Sequence, residues 1–456
     1  MNLFKNTFFF ALGNIGSKII NFAIYPLLTY YLLPEELGVL DLILTAIMII
    51  IPIVTFNINS ALFRFGIENP VDLNNYITNA IIINIAGSLF LIISFLLIWE
   101  KLVLEVELIV LLLYSISSII YYFLLQLLRS LEKIKLFAFI GILSSFVLLI
   151  FLLILLEKGY GINSYFISSV VSHLICAKVI IFIIVKEKAY FDITLKSLNM
   201  RTIVEMLKYS VVLIPSLMLW WLIEASDRFM INYYISSAAV GIYAIASKFP
   251  SIITLINTFF IQAWEMKIYK KFLNHDRKKY YSDIFYCYFN LLVIIFAIFL
   301  VLFEIIFVRI INSEFHSSFP LMPILLLGAI FAALSSFIGT INLQLRRSKD
   351  LFVSSIFAGA ANIGLNLLLI PKIGIFGAAI STAISYFILF SYRIYVLVKL
   401  KQLSFKFMVL LTQLISISSM LALYFYDFKF YLICLVLVYI LISLNNLRDF
   451  LRLLLE

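Results

Sequence analysis

The feature that most restricts the fold of this 456-residue chain is a series of fourteen long apolar runs. Each run is close to the ~20 residues that a helix needs to cross ~30 Å of hydrocarbon. A membrane β-barrel would instead show segments of about ten residues with alternating hydrophobicity. The runs are continuous, so the sequence predicts an all-α polytopic membrane protein with about 14 transmembrane helices. The predicted helices cover approximately residues 8–32, 38–60, 77–98, 107–128, 136–156, 162–185, 208–232, 239–263, 284–308, 322–345, 351–370, 374–398, 407–425 and 430–446.

The composition supports a membrane protein, since 64% of the residues are apolar and only 13% are charged. The first run contains Lys18 and continues through Pro26 without a small-residue cleavage site, so we expect a first transmembrane helix rather than a signal peptide. The three cysteines stand far apart, which indicates neither a disulfide framework nor a metal site.

The charged connections predict the orientation of the chain. With a cytoplasmic N-terminus, 25 of the 34 lysines and arginines, Arg393 among them, fall on the cytoplasmic side and 5 on the other. Four more, Lys18, Lys178, Arg228 and Lys248, fall inside predicted helices. The positive-inside rule therefore predicts that both termini are cytoplasmic. The formal net charge of +10 is then an orientation signal, and no nucleic-acid partner is needed to explain it.

The chain also repeats itself. YYLLPEELGVLDLIL at 30–44 returns as YYISSAAVGIYAIAS at 233–247, an offset of 203 residues. LQLLRS at 125–130 returns as LQLRRS at 343–348, and Gly141 returns as Gly359 at the same offset of 218. A third echo pairs GINSYFISSVVSHLI at 161–175 with GIFGAAISTAISYFI at 374–388, an offset of 213.

The order of these echoes predicts two parallel six-helix repeats followed by two C-terminal helices. The predicted domains are an N-terminal lobe at 1–190, a cytoplasmic linker at 191–207, a C-terminal lobe at 208–400 and two additional helices at 401–456. Parallel repeats related by an axis along the membrane normal occur in secondary transporters. Two such halves leave a cleft, and rocking one half on the other gives alternating access, so we expect a transporter.

Polar side chains inside the predicted helices mark candidate functional residues. Asn14, Lys18 and Asn21 share one face of the first helix with Tyr25, because they are spaced by four, three and four residues. The second helix carries Asp41 and Asn59, and the helix at 239–263 carries Lys248. The densest cluster is in the seventh helix, where Trp220 and Trp221 precede Glu224, Asp227 and Arg228.

Charged residues near mid-bilayer cost roughly 2.5 to 3.5 kcal/mol each, so several of them point to a use or to mutual pairing. Glu224 and Arg228 are four residues apart, a spacing that favours a salt bridge. Lys18 and Lys248 have the alternative of pairing with Asp41 and Asp227 as structural bridges.

Three segments resemble signatures of a known family. They are PLLTYYLLPEELGVLDL, DRFMINYYISSAAVGIYAIASK and NIGLNLLLIPKIGIFGAAISTAISYF. In these segments the chain resembles the polysaccharide flippases, the O-antigen (Wzx-type) branch of the multidrug/oligosaccharidyl-lipid/polysaccharide exporter superfamily. The resemblance extends over the whole chain, and its motifs are diffuse helix-and-turn patterns.

The resemblance implies a MATE-like bilobed fold that carries an undecaprenyl-diphosphate-linked oligosaccharide across the bacterial inner membrane for O-antigen, lipopolysaccharide or other surface glycan synthesis. Membrane lipids are implied partners, as are the polymerase and chain-length proteins of such a pathway. A cationic lumen suits a diphosphate, and Lys18, Arg64, Arg228 and Lys248 lie on the matching helices. Asn14, Asn21 and Asn59 are candidates for bonding sugar hydroxyls, and Trp220 or Trp221 for stacking on a ring.

No cofactor or metal site is expected. Asp41, Glu224 and Asp227 are candidate sites for a coupling proton or sodium ion. A salt bridge between Glu224 and Arg228 is the alternative explanation for Glu224. One alternative function is a multidrug or cation antiporter of the same superfamily, which would usually have twelve spans and an acidic cavity. Another is a membrane enzyme of glycan assembly. The sequence contains no glycine-rich phosphate loop and no catalytic motif, and no predicted connection exceeds about 22 residues.

Overall fold

The computed structural model of the protein describes residues 3–98, 106–186, 198–270, 277–345, 347–404 and 406–455, and this part of the chain is all-helical. Its α-helices are α1 (Leu3–Tyr31), α2 (Pro34–Val54), α3 (Ile58–Glu68), α4 (Leu73–Ile98), α5 (Leu108–Ser130), α6 (Ile134–Glu157), α7 (Asn163–Lys186), α8 (Met200–Tyr234), α9 (Ser237–Lys248), α10 (Ser251–Lys270), α11 (Arg277–Ile310), α12 (Met322–Gln344), α13 (Ser348–Ile373), α14 (Ile375–Lys399), α15 (Phe407–Phe425) and α16 (Lys429–Leu455). Short 3-10 helices at Pro70–Asp72 and Ser313–Leu321 precede α4 and α12.

Twelve helical segments of the described residues are long and apolar enough to cross a membrane, so the chain is a multi-pass membrane protein. Each of the fourteen predicted spans coincides with helical structure. The two that fall outside the twelve are α1 and α16. The predicted fold class is thereby confirmed, while the count of 14 is approximate.

The chain forms two compact units, unit 1 at Met1–Ala225 and unit 2 at Ser226–Glu456. The boundary falls within α8, which is a single helix of 35 residues. Residues 191–197 of the predicted linker lie outside the described part of the chain, and its residues from Met200 onward belong to α8. The predicted domain limits stay a prediction.

The second predicted span of the first repeat, 38–60, is two helices in the structure. α2 ends at Val54 and α3 begins at Ile58, and between them Phe56 and Asn57 have φ angles of 50° and 51°. Such left-handed residues cost roughly 1–2 kcal/mol unless they are glycine or can bond locally. Asn57 does bond locally, because its Oδ1 accepts a hydrogen bond from Ser60 Oγ at 2.9 Å. This hydrogen bond therefore stabilises the turn that separates α2 from α3.

The corresponding span of the second repeat, 239–263, is divided as well. α9 ends at Lys248 and α10 begins at Ser251, with Pro250 between them. Proline lacks the N–H that would continue the helical ladder, which explains the division. With the offset of 203 residues, Pro250 corresponds to Ile47, which lies inside α2, so the two spans are divided at different positions.

Packing in unit 2 holds the two C-terminal helices against α11. Asn290 of α11 accepts hydrogen bonds through Oδ1 from Tyr439 Oη at 2.7 Å, Gln413 Nε2 at 3.2 Å and Ser443 Oγ at 3.1 Å. These donors come from α15 and α16. Helices outside the repeat are thus attached to it by a buried polar network, with apolar packing around it.

Candidate functional site

Asp227 of α8 is the centre of a buried polar cluster in unit 2, and only 2% of its surface is exposed. Its Oδ2 accepts hydrogen bonds from Tyr243 Oη of α9 at 2.6 Å and from Thr382 Oγ1 of α14 at 2.5 Å. Its Oδ1 accepts one from Asn366 Nδ2 of α13 at 2.6 Å. Three short hydrogen bonds from three helices offset part of the cost of a buried carboxylate.

Two asparagines extend this cluster along α13. Asn362 Oδ1 accepts hydrogen bonds from Ser226 Oγ at 3.0 Å and from Asn366 Nδ2 at 3.2 Å. Among the described residues, Asn366 Oδ1 has no donor. A buried polar atom left unsatisfied costs about 1–3 kcal/mol, and this oxygen has the capacity to accept from or coordinate a further group. The cluster offers oxygens from one carboxylate, three hydroxyls and two amides, which is a donor set for a hard cation.

Two of the predicted substrate-binding cations lie beside this cluster. Arg228 follows Asp227 on α8, is half-buried, and donates from Nη2 to Ser247 Oγ at 3.3 Å. Its guanidinium carbon is 6.0 Å from the centre of the Tyr243 ring. Lys248, also half-buried, is the last residue of α9. Arg228 and Lys248 thus lie on two of the helices that contribute side chains to the Asp227 cluster.

Unit 1 contains a polar cavity of about 280 Å³ among α1, α5, α6 and α7. It is lined by Asn21, Ile24, Tyr25, Tyr114, Ser144, Ser145, Leu148, Tyr165, Ser169 and His173. The His173 ring is held in place by Ser117 Oγ, 3.1 Å from its Nδ1, and by Tyr121, whose ring stacks on it at 4.7 Å. Of the predicted site residues, Asn21 alone is among those lining this cavity.

The cavity and the Asp227 cluster occupy equivalent positions of the two repeats. With the offsets of the sequence echoes, Asp227 corresponds to Ile24, Asn362 to Ser144, Asn366 to Leu148 and Thr382 to Ser169. All four unit 1 counterparts line the cavity. The polar centre of unit 2 is therefore replaced in unit 1 by smaller or apolar side chains, and an open space takes its place.

The remaining predicted polar residues of unit 1 are spread over α2 and α3. Asp41 of α2 is buried, with 4% exposure. Asn59 of α3 forms a reciprocal amide pair with Asn84 of α4, at 2.8 Å and 3.2 Å between nitrogen and oxygen. Both amides are buried, so this pair serves to join two helices.

The two predicted cations of unit 1 are both exposed. Lys18 lies on α1. Arg64 lies on α3, pairs with Glu68 at 2.8 Å and stacks over the Tyr209 ring at 4.4 Å. The hydrogen bond to Glu68 raises the pKa of Arg64. Arg64 already has a carboxylate partner, whereas Lys18 is placed on the face of α1 that carries Asn21.

Trp220 and Trp221 are the two residues predicted to stack on a sugar ring. Trp221 is half-buried, and its Nε1 donates to the Thr45 carbonyl oxygen of α2 at 2.7 Å. The side chains of Asn14, Trp220 and Glu224 lie outside the described part of the structure. Sugar stacking by either tryptophan and the pairing of Glu224 with Arg228 stay predictions.

Arg393 is a buried charge that sequence reasoning placed in a cytoplasmic connection. It lies in α14 with 6% exposure and donates to Ser354 Oγ at 3.1 Å, to Ser335 O at 3.0 Å and to Ser355 Oγ at 3.4 Å. Among the described residues no carboxylate lies within salt-bridge distance of it. The sequence contained a signal for this burial, because Arg393 lies inside the predicted span 374–398, six residues before Lys399.

Comparison with known proteins assigns the family. The profile of the family described as "Polysaccharide biosynthesis protein" matches residues 3–264, more than half of the chain. The chain belongs to this family. A curated relative, an uncharacterized membrane protein of Methanocaldococcus jannaschii, is 34% identical over 152 residues. That match covers 32% of this chain and 27% of the relative.

Solved structures show the fold. The structure is similar to the lipid II flippase MurJ in an inward closed conformation, with a TM-score of 0.71, 17% identity, and coverage of 98% of this chain and 99% of that one. It is also similar to an inward-facing multidrug resistance MATE family transporter of the MOP superfamily, with a TM-score of 0.66, 14% identity, and coverage of 85% and 96%. The fold is thus of the type shared by MurJ and MATE proteins.

Proposed function

We propose that this protein is a flippase that moves an undecaprenyl-diphosphate-linked oligosaccharide across the bacterial inner membrane by alternating access. The membership in a polysaccharide biosynthesis family and the fold shared with a lipid II flippase support a lipid-linked glycan as cargo. The observation that carries the proposal is the pair of half-buried cations, Arg228 and Lys248, on α8 and α9. A diphosphate inside a membrane protein needs fixed positive partners, because charge-assisted hydrogen bonds repay its desolvation.

The same two cations argue against the multidrug antiporter as the function. A cationic drug would be repelled by Arg228 and Lys248, and a binding site for it needs acidic or aromatic surfaces. A membrane enzyme of glycan assembly is the other alternative. In the described part of the chain, no group of three or more His, Cys, Asp or Glu side chains is placed to hold a metal ion, and Asp227 bonds to Tyr243, Thr382 and Asn366 rather than to a nucleophile and base.

The test is export of surface glycan by cells that carry Arg228→Ala or Lys248→Ala as their only copy of the gene. We expect both variants to reach the membrane at normal levels and to lose most export, about tenfold or more, because each removes a charge-assisted contact worth roughly 1.5–3 kcal/mol. Lys372→Ala is the matched control, since Lys372 is an exposed lysine in the last turn of α13. Normal export in both variants, or drug resistance conferred by the wild type, contradicts the proposal.

We further propose that the Asp227 cluster holds the coupling ion, and that this ion is sodium. The cluster offers oxygens of Asp227, Thr382, Asn362 and Asn366, and the Asn366 oxygen without a donor gives a cation an oxygen that would otherwise stay unsatisfied. Hard monovalent cations prefer such oxygen donors. Export by the wild type is expected to require an inward sodium gradient and to fail in potassium. Export that follows a pH gradient in the absence of sodium would assign Asp227 to a proton instead.

A further inference from the structure

We propose that the polar cavity of unit 1 is a subsite for one sugar ring of the transported glycan. The inference deepens the flippase function proposed above and rests on it. It assigns a role to a space on α1, α5, α6 and α7 that is distinct from the Asp227 cluster and from the cations of α8 and α9.

The wall of the cavity suits a neutral polar ligand. The described residues that line it include no lysine, arginine, aspartate or glutamate. Such a wall offers no fixed charge to a diphosphate and no carboxylate to a metal cation. It offers hydroxyl, amide and imidazole groups together with tyrosine rings, which are the groups that bind a ring with many hydroxyls.

The serines of the wall present hydrogen-bond acceptors to the cavity. Ser145 Oγ donates its proton to Gly141 O at 3.1 Å, and Ser169 Oγ donates its proton to Tyr165 O at 2.8 Å. Each hydroxyl has one proton and two lone pairs, so the lone pairs stay available once the proton is committed to the helix backbone. Sugar hydroxyls are donors that can use them.

His173 adds a further acceptor. Ser117 Oγ lies 3.0 Å from Tyr114 O and 3.1 Å from His173 Nδ1. If the serine proton goes to the carbonyl oxygen, Nδ1 carries the imidazole proton and Nε2 is the acceptor. The stacked Tyr121 ring fixes the plane of the imidazole, so the acceptor has a defined direction.

Tyrosines supply the complementary groups. Tyr25, Tyr114 and Tyr165 are each half-buried and line the cavity. A tyrosine combines an apolar ring face with a hydroxyl that both donates and accepts, which matches a sugar, whose ring has C–H faces and O–H edges. Three of them from α1, α5 and α7 can contact one ring from different sides.

The size of the cavity limits the ligand to one ring. At about 280 Å³ it has room for roughly nine water molecules of ~30 Å³ each, and a single hexose has about twelve non-hydrogen atoms. Unit 2 has the same helices but fills the equivalent position with Asp227, Asn362, Asn366 and Thr382. The subsite therefore belongs to unit 1.

Lys18 places a positive charge next to the cavity. It lies three residues before Asn21 on the same face of α1, a distance of roughly 4.5 Å along the helix axis. Both side chains are exposed, and Asn21 lines the cavity. A sugar in the cavity would have its diphosphate linkage beside Lys18. The lysine and the cavity together match the junction between the charged and the neutral part of the substrate.

The experiment compares the binding of three lipids to the purified full-length protein in nanodiscs. The probes are undecaprenyl diphosphate alone, the same lipid with one N-acetylglucosamine, and the same lipid with one glucose. We expect the wild type to bind at least one sugar-bearing lipid about tenfold or more tightly than the bare lipid, because several net hydrogen bonds of ~0.5–1.5 kcal/mol each are gained. Lys18→Gln should weaken the binding of all three lipids.

The deciding variant is Ser145→Leu, which fills the cavity with an apolar side chain. It should remove the preference for sugar while leaving the affinity for undecaprenyl diphosphate unchanged. Ser94→Leu is the matched control, since Ser94 lies on α4 away from the cavity and should keep the wild-type preference. If Ser145→Leu lowers the melting temperature, Ser169→Ala removes an acceptor without added volume and should reduce the preference by about fivefold.

The outcomes distinguish a failure of the sugar subsite from a failure of the flippase function. A wild type that binds the three lipids equally, or a Ser145→Leu variant that melts normally and keeps the preference, overturns the subsite and leaves the flippase function standing. A wild type that binds none of the three lipids overturns the proposed function, and the subsite with it.

Discussion

The two repeats place different chemistry at the same four positions. In unit 2, Asp227 is surrounded by amide and hydroxyl groups of α9, α13 and α14. In unit 1 the equivalent position of α1 is Ile24, which is 2% exposed, just as Asp227 is. The scaffold and its burial were duplicated, and the side chains diverged.

Features that the two repeats share can be distinguished from features that differ between them. The second predicted span is divided in both repeats, and both copies of the third echo keep their serines, so these features explain a fold. A carboxylate in one repeat and a cavity in the other cannot both follow from folding alone. We propose that unit 2 holds an ion and that unit 1 contacts the cargo.

The largest effect is expected when unit 2 is given the unit 1 residue, as in Asp227→Ile. This change leaves Tyr243, Asn366 and Thr382 without their acceptor, and each stranded group costs about 1–3 kcal/mol. We expect a stability loss of about 3–5 kcal/mol, measured by thermal unfolding of the purified protein, together with loss of export. A variant that melts within a degree of the wild type would show that the cluster does not hold α8, α9, α13 and α14 together.

Asp227→Asn isolates the contribution of the charge, because the amide keeps the shape of the carboxylate and removes its charge. We expect most of the stability to be retained and export to fall by about ten- to a hundredfold, or 1.4–2.8 kcal/mol in the rate-limiting barrier. The measurement is the rate of glycan appearance at the cell surface. Wild-type export from this variant would remove the charge of Asp227 from the transport cycle.

A smaller effect is expected at the amide pair of unit 1. Asn59→Leu leaves the buried Asn84 amide with a single partner, the Ala80 carbonyl oxygen, and should cost about 1–3 kcal/mol. The double variant Asn59→Leu with Asn84→Leu should cost less than the sum of the single changes, since both polar groups are then absent. Additive losses in a double-mutant cycle would show that the two amides do not act as a pair.

The smallest effect is expected at the turn between α2 and α3. Asn57→Ala should cost about 1–2 kcal/mol, because alanine disfavours a φ of 51° and cannot accept the hydrogen bond of Ser60. Asn57→Gly should cost less, because glycine adopts this conformation freely. Equal melting temperatures for the two variants would show that the left-handed turn does not contribute to the break.

Much of the fold was predictable because it depends on local patterns. Apolar runs located each of the helical segments, and the echoes at 30–44 and 233–247 located the repeat. The break after Val54 was not predicted, since Pro52 alone signals a kink and two successive left-handed residues have no sequence signature. Arg393 was misplaced for a similar reason, because charge alone does not distinguish a connection from a buried helix end.

The candidate site was predictable only in part. Asp227 stood out because a carboxylate inside an apolar helix is costly. Its partners Asn362, Asn366 and Thr382 looked like ordinary interhelical polar residues, since their convergence depends on packing between helices far apart in sequence. The unit 1 cavity was missed for the same reason, as its tyrosines, serines and histidine come from four helices.

Reconstitution tests whether the protein moves a diphosphate-linked glycan across the membrane. Purified protein in liposomes is given a fluorescent undecaprenyl-diphosphate oligosaccharide and a sodium gradient, and the label on the outer leaflet is quenched at intervals. We expect the wild type to move the lipid between leaflets and Asp227→Asn to do so about ten- to a hundredfold more slowly. A wild type that leaves the labelled lipid on its original leaflet, while exporting a cationic dye, would contradict the proposed flippase function.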